Sequence, residues 1–169
     1  MDQVLHETAS SSRSNPVNRW RRSIPIGCSL AMQWGWAIWW GGLTFYAAIV
    51  VPLGTEQFGS FGQGLVTQQV TRYLNALAMF VAVLAIVEGI INERPKQWAG
   101  GILLGGVTAA LMYQHTLLIP RIDTVAESVA DDFYDAHATY LWLTTLQWCI
   151  GLFLGIRRGF GRHYHPQSR

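Results

Sequence analysis

The amino-acid sequence predicts an all-α polytopic membrane protein: four transmembrane helices in a single bundle, with the N- and C-termini cytoplasmic. Four uncharged stretches, Ser23 to Thr55, Tyr73 to Val87, Gln97 to Pro120 and Ala136 to Ile156, make the first argument. A crossing helix needs roughly 20 mostly apolar residues at about 1.5 Å rise each. Three of the runs reach that length, and the second does so once Glu88 is admitted, giving Tyr73 to Ile91. Composition is the second argument: 50% of the 169 residues are hydrophobic and 13% charged, against about 25% charged in soluble domains. Charge placement is the third. Arg13, Arg19, Arg21, Arg22, Arg94, Lys96, Arg157, Arg158, Arg162 and Arg169 fall on one side of a four-span arrangement, ten of the twelve basic residues. That is the asymmetry expected of a cytoplasmic face. The location implied is the cell membrane, multi-pass, with the lipid bilayer as the first partner and no nucleic acid.

Taken in order, residues 1–22, with a serine cluster and scattered arginines, read as a disordered cytoplasmic tail. An Arg-rich start before an apolar run also describes a secretory signal. Here the run is too long for a signal and no small-x-small site follows it, so helix 1 is expected to stay as an anchor over about 29–53. The connection Gly54 to Arg72 is rich in Gly and Gln, and helix 2 occupies about 73–91, with an earlier start near Leu65 open to it. Helix 3 spans about 98–119 and helix 4 about 136–156, followed by a basic cytoplasmic tail at 157–169. Trp34, Trp36 and Trp98 fit an inner aromatic belt, while Trp39 and Trp40 lie deeper as packing residues.

Close approach of helices in lipid relies on small residues at four-residue spacing. Gly101, Gly105 and Ala109 on helix 3 and Gly151, Gly155 and Gly159 on helix 4 predict that these two helices cross closely. Such glycine faces could also support a homo- or hetero-oligomer. A weak echo between Gly41–Pro52 and Gly105–Pro120 suggests two hairpins of like orientation.

Between helices 3 and 4, Asp123, Glu127, Asp131 and Asp135 recur every four residues, opposite Ile122, Val125, Val129 and Phe133. This predicts an amphipathic helix over about 122–135 on the outer surface, with four carboxylates stacked on one face. A solvated face explains it, and a divalent cation or basic partner is the functional alternative. No calcium-loop pattern is present.

Polar residues inside spans are the remaining candidates, because lipid burial is costly unless they pair or function. His115 and His137 lie near the outer ends of helices 3 and 4 and share faces with the glycines, so both point to the helix interface. They could be ordinary hydrogen-bonding residues or cofactor ligands for copper, zinc or a haem iron. Glu88, inside helix 2, is expected to snorkel toward Arg94 or Arg157, with a proton relay as the alternative. Arg72 and Asn75 are expected at the outer rim, near Glu56 or the acidic helix. Cys28 and Cys149 make neither a disulfide framework nor a zinc motif. Phosphate-loop, zinc-protease, nucleophile-elbow and dinucleotide motifs are absent.

The run WWGGLTFYAAIVVP (Trp39–Pro52), the Phe-Gly that follows, TRYLN (Thr71–Asn75) and FYDAHATYLWLTTLQW (Phe133–Trp148) resemble small four-helix membrane proteins of unknown function related to vertebrate transmembrane protein 205. The resemblance covers about Trp34 to Ile156 and implies a fold and a location without a reaction. Thr144 stands where that pattern expects Asn. The sequence therefore supports a non-enzymatic, assembly- or transport-related membrane protein, with a haem- or metal-binding redox protein using His115 and His137 as the alternative. Four-helix haem proteins of the protoporphyrinogen-oxidising type would show a histidine in helix 1, and Ser23 to Thr55 has none.

Overall fold

A computed structural model describes residues 16–123, 126 and 128–161. Helix α1 (Pro16–Phe45) passes through a π-helical turn (Tyr46–Val50) into α2 (Val51–Ile91), and α3 (Pro95–Leu118), a two-stranded hairpin and α4 (Phe133–Gly161) follow. Among the described residues, three helical segments are long and apolar enough to cross a membrane: Gly27–Ile91, Pro95–Arg121 and Phe133–Arg158.

The first of these, 65 residues long, would extend to nearly 100 Å if straight. It does not stay straight, because Gly59 adopts φ 70°, ψ 169°, a backbone state essentially reserved for glycine. The arms on either side fold back on each other. Gly35 faces Val81, Gly42 faces Leu74, and Tyr46 Oη donates to Thr67 Oγ1 at 3.0 Å. Residue numbers thus fall along one arm as they rise along the other, which makes an antiparallel pair.

The π-helical turn has a local cause. Pro52 has no N–H and its ring crowds the carbonyl one turn back. Widening the preceding turn, so that Val51 N–H reaches Tyr46 O, takes up that misfit without ending the helix.

Several boundaries move from their expected places. Residues 16–22, expected in a disordered tail, belong to α1, with Pro16 at its start, where a fixed φ suits the first helical turn. The remainder of that tail, 1–15, lies outside the described residues. Helix 1 runs past 53 to the break at Gly59, and helix 2 begins directly after it rather than at 73, because 60–72 contains no proline and its two glycines, Gly62 and Gly64, stay helical. Helix 4 starts at Phe133 and continues to Gly161, so the first five residues of the expected basic tail are helical, while 162–169 lie outside the described residues.

The expected amphipathic helix over 122–135 is not formed. Ile122–Asp123 pairs antiparallel with Ser128–Val129, in register Ile122↔Val129 and Asp123↔Ser128. Pro120 ends the preceding helix in a 3₁₀ turn, and Asp123 Oδ1 accepts from Ala126 N–H at 3.0 Å, a side-chain turn that competes with helix. β-branched Ile122 and Val129 then favour the extended state. Asp123, Asp131 and Asp135 consequently occupy a strand, a turn and the first turn of α4 instead of one helical face, and Glu127 lies outside the described residues. Arg121 pairs instead with Asp132 at 3.0 Å.

The core draws on all the arms: Met32, Trp39 and Leu43 from α1, Ala78, Val81 and Ala85 from α2, Leu104 and Leu111 from α3, and Tyr140, Ile150 and Leu154 from α4. Glycine placement decides how closely they pack, but not in the expected pairing. Gly101 of α3 turns to α2, where an added Cβ would lie 2.9 Å from Ala82 O. Gly151 and Gly155 of α4 turn to α1, and a Cβ on Gly151 would sit 2.7 Å from the Trp39 ring. The two ladders therefore do not face each other. Large indoles fill the space that α4 glycines leave, which replaces a small-on-small crossing by a large-into-small one.

Candidate functional site

The end of the bundle where α2 turns into α3 is built around Glu88. Its helix buries Asn75, Ala78, Val81, Ala82, Ala85, Glu88 and Gly89, a wide stripe because α2 packs against both α1 and α3. Glu88 lies two turns beyond Val81 on that stripe, and only 1% of it is exposed. It does not snorkel to Arg94 or Arg157, as its position near the helix end suggested. Arg158 Nη1 donates to Glu88 Oε2, and Gln97 Nε2 donates to the same oxygen at 2.6 Å. Arg158 Nη2 reaches on to Ser29 O and Ser29 Oγ, each at 3.1 Å. One carboxylate and one guanidinium thereby join α1, α2, α3 and α4. The fork of the Arg side chain is what allows two helices to be held at once.

The turn that brings Gln97 to Glu88 is tight. Glu93 N–H donates to Ile90 O and Arg94 N–H to Gly89 O, closing α2 in the paired pattern of a Schellman cap. The left-handed residue of that cap is Glu93, φ 53°, where glycine is usual. Gly89 lets the returning α3 come close: a Cβ there would lie 2.6 Å from Trp98 N.

At mid-depth, Trp36, Trp40 and Trp148 stack with ring centroids 5.6 and 5.3 Å apart. Each indole N–H is used, by Gly151 O at 2.8 Å, Trp148 O at 3.2 Å and Thr44 Oγ1 at 2.9 Å respectively. Gln147 of α4 donates to Thr108 of α3 at 2.8 Å, both fully buried. Trp39 Nε1 is a buried donor with no acceptor among the described residues.

The opposite end holds both histidines. His115 and His137 are half-buried, and each ring centroid lies 6.4 Å from that of Tyr140, one from α3 and one from α4. His137 also stacks on Phe133 at 5.4 Å. Asn75 Nδ2 donates to Tyr140 Oη at 3.4 Å, so Asn75 belongs to the interior rather than the rim. Arg72 is exposed, forms no ion pair among the described residues, and lies within electrostatic reach of His115. The structure thus brings His115, His137 and Arg72 to one region and leaves Glu88 at the opposite end of α2. No group of three or more His, Cys, Asp or Glu side chains gathers around a common point among the described residues. Cys28 is half-buried and Cys149 exposed, and both are free thiols.

Ser29 and Gln97 were not singled out by the sequence, and neither were the partners that Arg158 and Tyr140 take. The signals available were an arginine closing an uncharged run, a glutamine in the first turn of a helix after Pro95, and a tyrosine one turn from His137. Compared with protein-family models, curated proteins and solved structures, the chain matches none.

Proposed function

We propose that this chain is a four-pass integral protein of the cell membrane, cytoplasmic at both ends, of the kind related to vertebrate transmembrane protein 205, and that it acts in assembly or transport without a reaction of its own. The break at Gly59 supports the span count, since each arm, 27–58 and 60–91, exceeds the roughly 20 residues a crossing needs. Arg94, Lys96, Arg157 and Arg158 all border the Glu88 end, which supports placing that end in the cytoplasm. The observation that carries the non-enzymatic reading is the use made of Glu88. The carboxylate inside the spans is held by Arg158 and Gln97, and it ties helices together rather than facing a substrate path.

A second reading is favoured by the convergence of His115 and His137 on Tyr140. Neutral imidazoles from two adjacent helices are suited to a haem iron or copper. An absorption spectrum with metal analysis of detergent-purified protein separates the two readings. The assembly reading expects a featureless, metal-free sample. A Soret band or stoichiometric copper that disappears in His137→Ala would replace it with the redox reading.

A further inference from the structure

Beside the Glu88 node, the ends of α1 and α4 and the α2–α3 turn enclose a cleft of about 570 Å³. Its charged lining is uneven: Arg94, Lys96, Arg157 and Arg158 against Glu93 alone. Arg158 is committed to Glu88 and Ser29. Arg94, Lys96 and Arg157 are exposed and form no ion pair among the described residues. The floor is apolar, made by Met32 and Leu154, 0% and 4% exposed.

We infer that this cleft binds a phosphate group through Arg94, Lys96 and Arg157, with Ser29 as a neutral donor. Three exposed cations lining one cavity repel one another, and an anion placed between them turns that repulsion into attraction, although the Arg157 guanidinium, 4.9 Å over the Phe153 ring, must swing to reach it. Arginine offers parallel N–H donors that match phosphate oxygens, and Lys96 adds a point charge. Ser29 Oγ already accepts from Arg158, so its own proton is left to give to a ligand in the cleft it lines. The position of α3, whose first turn supplies Pro95, Lys96 and Gln97 to the wall, adds the positive end of a 24-residue helix. The apolar floor beneath a cationic rim fits an amphiphile, so a phospholipid headgroup is one source of the phosphate and a free phosphate ion is the other. The site depends on the geometry of this end alone and holds whether or not the assembly reading does.

The test uses the full chain in two arms. Melting is followed with inorganic phosphate against chloride at equal ionic strength, and native mass spectrometry counts phosphatidylglycerol against phosphatidylcholine retained from mixed nanodiscs. Protection by phosphate that is lost in Arg94→Gln/Lys96→Gln/Arg157→Gln supports the site with a free ion as ligand. Preferential phosphatidylglycerol retention that falls about tenfold in that variant supports it with a headgroup as ligand. Arg72→Gln, at the other end of the bundle, leaves both readouts unchanged. If the triple variant does not fold, Lys96→Gln and Arg157→Gln singly, both at exposed positions, each reduce binding about threefold. The inference is overturned if the wild type shows neither effect, if the cleft variants bind as well as wild type, or if Arg72→Gln weakens binding equally.

Discussion

At the Glu88 end a carboxylate and a guanidinium meet inside the bundle, whereas at the Tyr140 end the buried polar groups are neutral and the charges of Arg72 and Asp135 stay at the surface. Both ends hold α2 to α4, but with different consequences for a lost partner. A buried charge without its counter-charge is far costlier than a neutral group without its hydrogen bond. In lipid, where neighbouring helices gain little from hydrophobic burial, such links and close packing decide which helices associate. The Glu88 end is therefore the more sensitive of the two, and the aromatic Tyr140 end the more forgiving.

The largest effect expected is at the Glu88 end. Arg158→Ala leaves Glu88 unpaired and costs about 3–5 kcal/mol, measured as loss of melting temperature of the purified protein. Adding Glu88→Met to Arg158→Met recovers most of that loss, because a packed apolar pair carries no desolvation penalty. Next is the packing between the ends: Gly155→Ala drives a methyl group into the Trp36 ring and costs about 1–3 kcal/mol, with a shift in tryptophan fluorescence. At the Tyr140 end, Tyr140→Phe removes the acceptor for Asn75 and costs only about 0.6 kcal/mol, the average for interhelical hydrogen bonds in lipid. A loss there as large as that of Arg158→Ala would abolish the contrast between the ends. Smallest, and opposite in sign, Glu93→Gly relieves the left-handed cap of α2 and raises stability by about 0.5 kcal/mol in the same melting assay.

The apolar runs were legible as helices because length and lack of charge need no partner to interpret. Turns depend on single residues and were less so. Gly59 looked like any loop glycine until its positive φ showed where the chain reverses, and the four-residue spacing of Asp123 to Asp135 suggested a helix that Pro120 and the Asp123 side-chain turn prevent. His115 and His137 could be placed near one end of the bundle from their positions along the runs, but the glycine faces they share turn to α2 and α1 rather than to each other. Glu88 could be singled out as a charge in a span, but its partner could not be chosen among nearby arginines, because Arg157 and Arg158 differ by one residue and by about 100° around the helix. The same limit applied to the glycines: a small-residue ladder marks close approach and does not name the helix that approaches.

Side-specific cysteine labelling tests the central claim, four crossings with the Glu88 end facing the cytoplasm. In a background lacking Cys28 and Cys149, Ser60→Cys at the Gly59 break and Ser128→Cys in the hairpin should react in intact cells with an impermeant maleimide, whereas Lys96→Cys in the α2–α3 turn should react only after permeabilisation. Reaction of the Ser60→Cys and Lys96→Cys proteins from the same side of the membrane would contradict it.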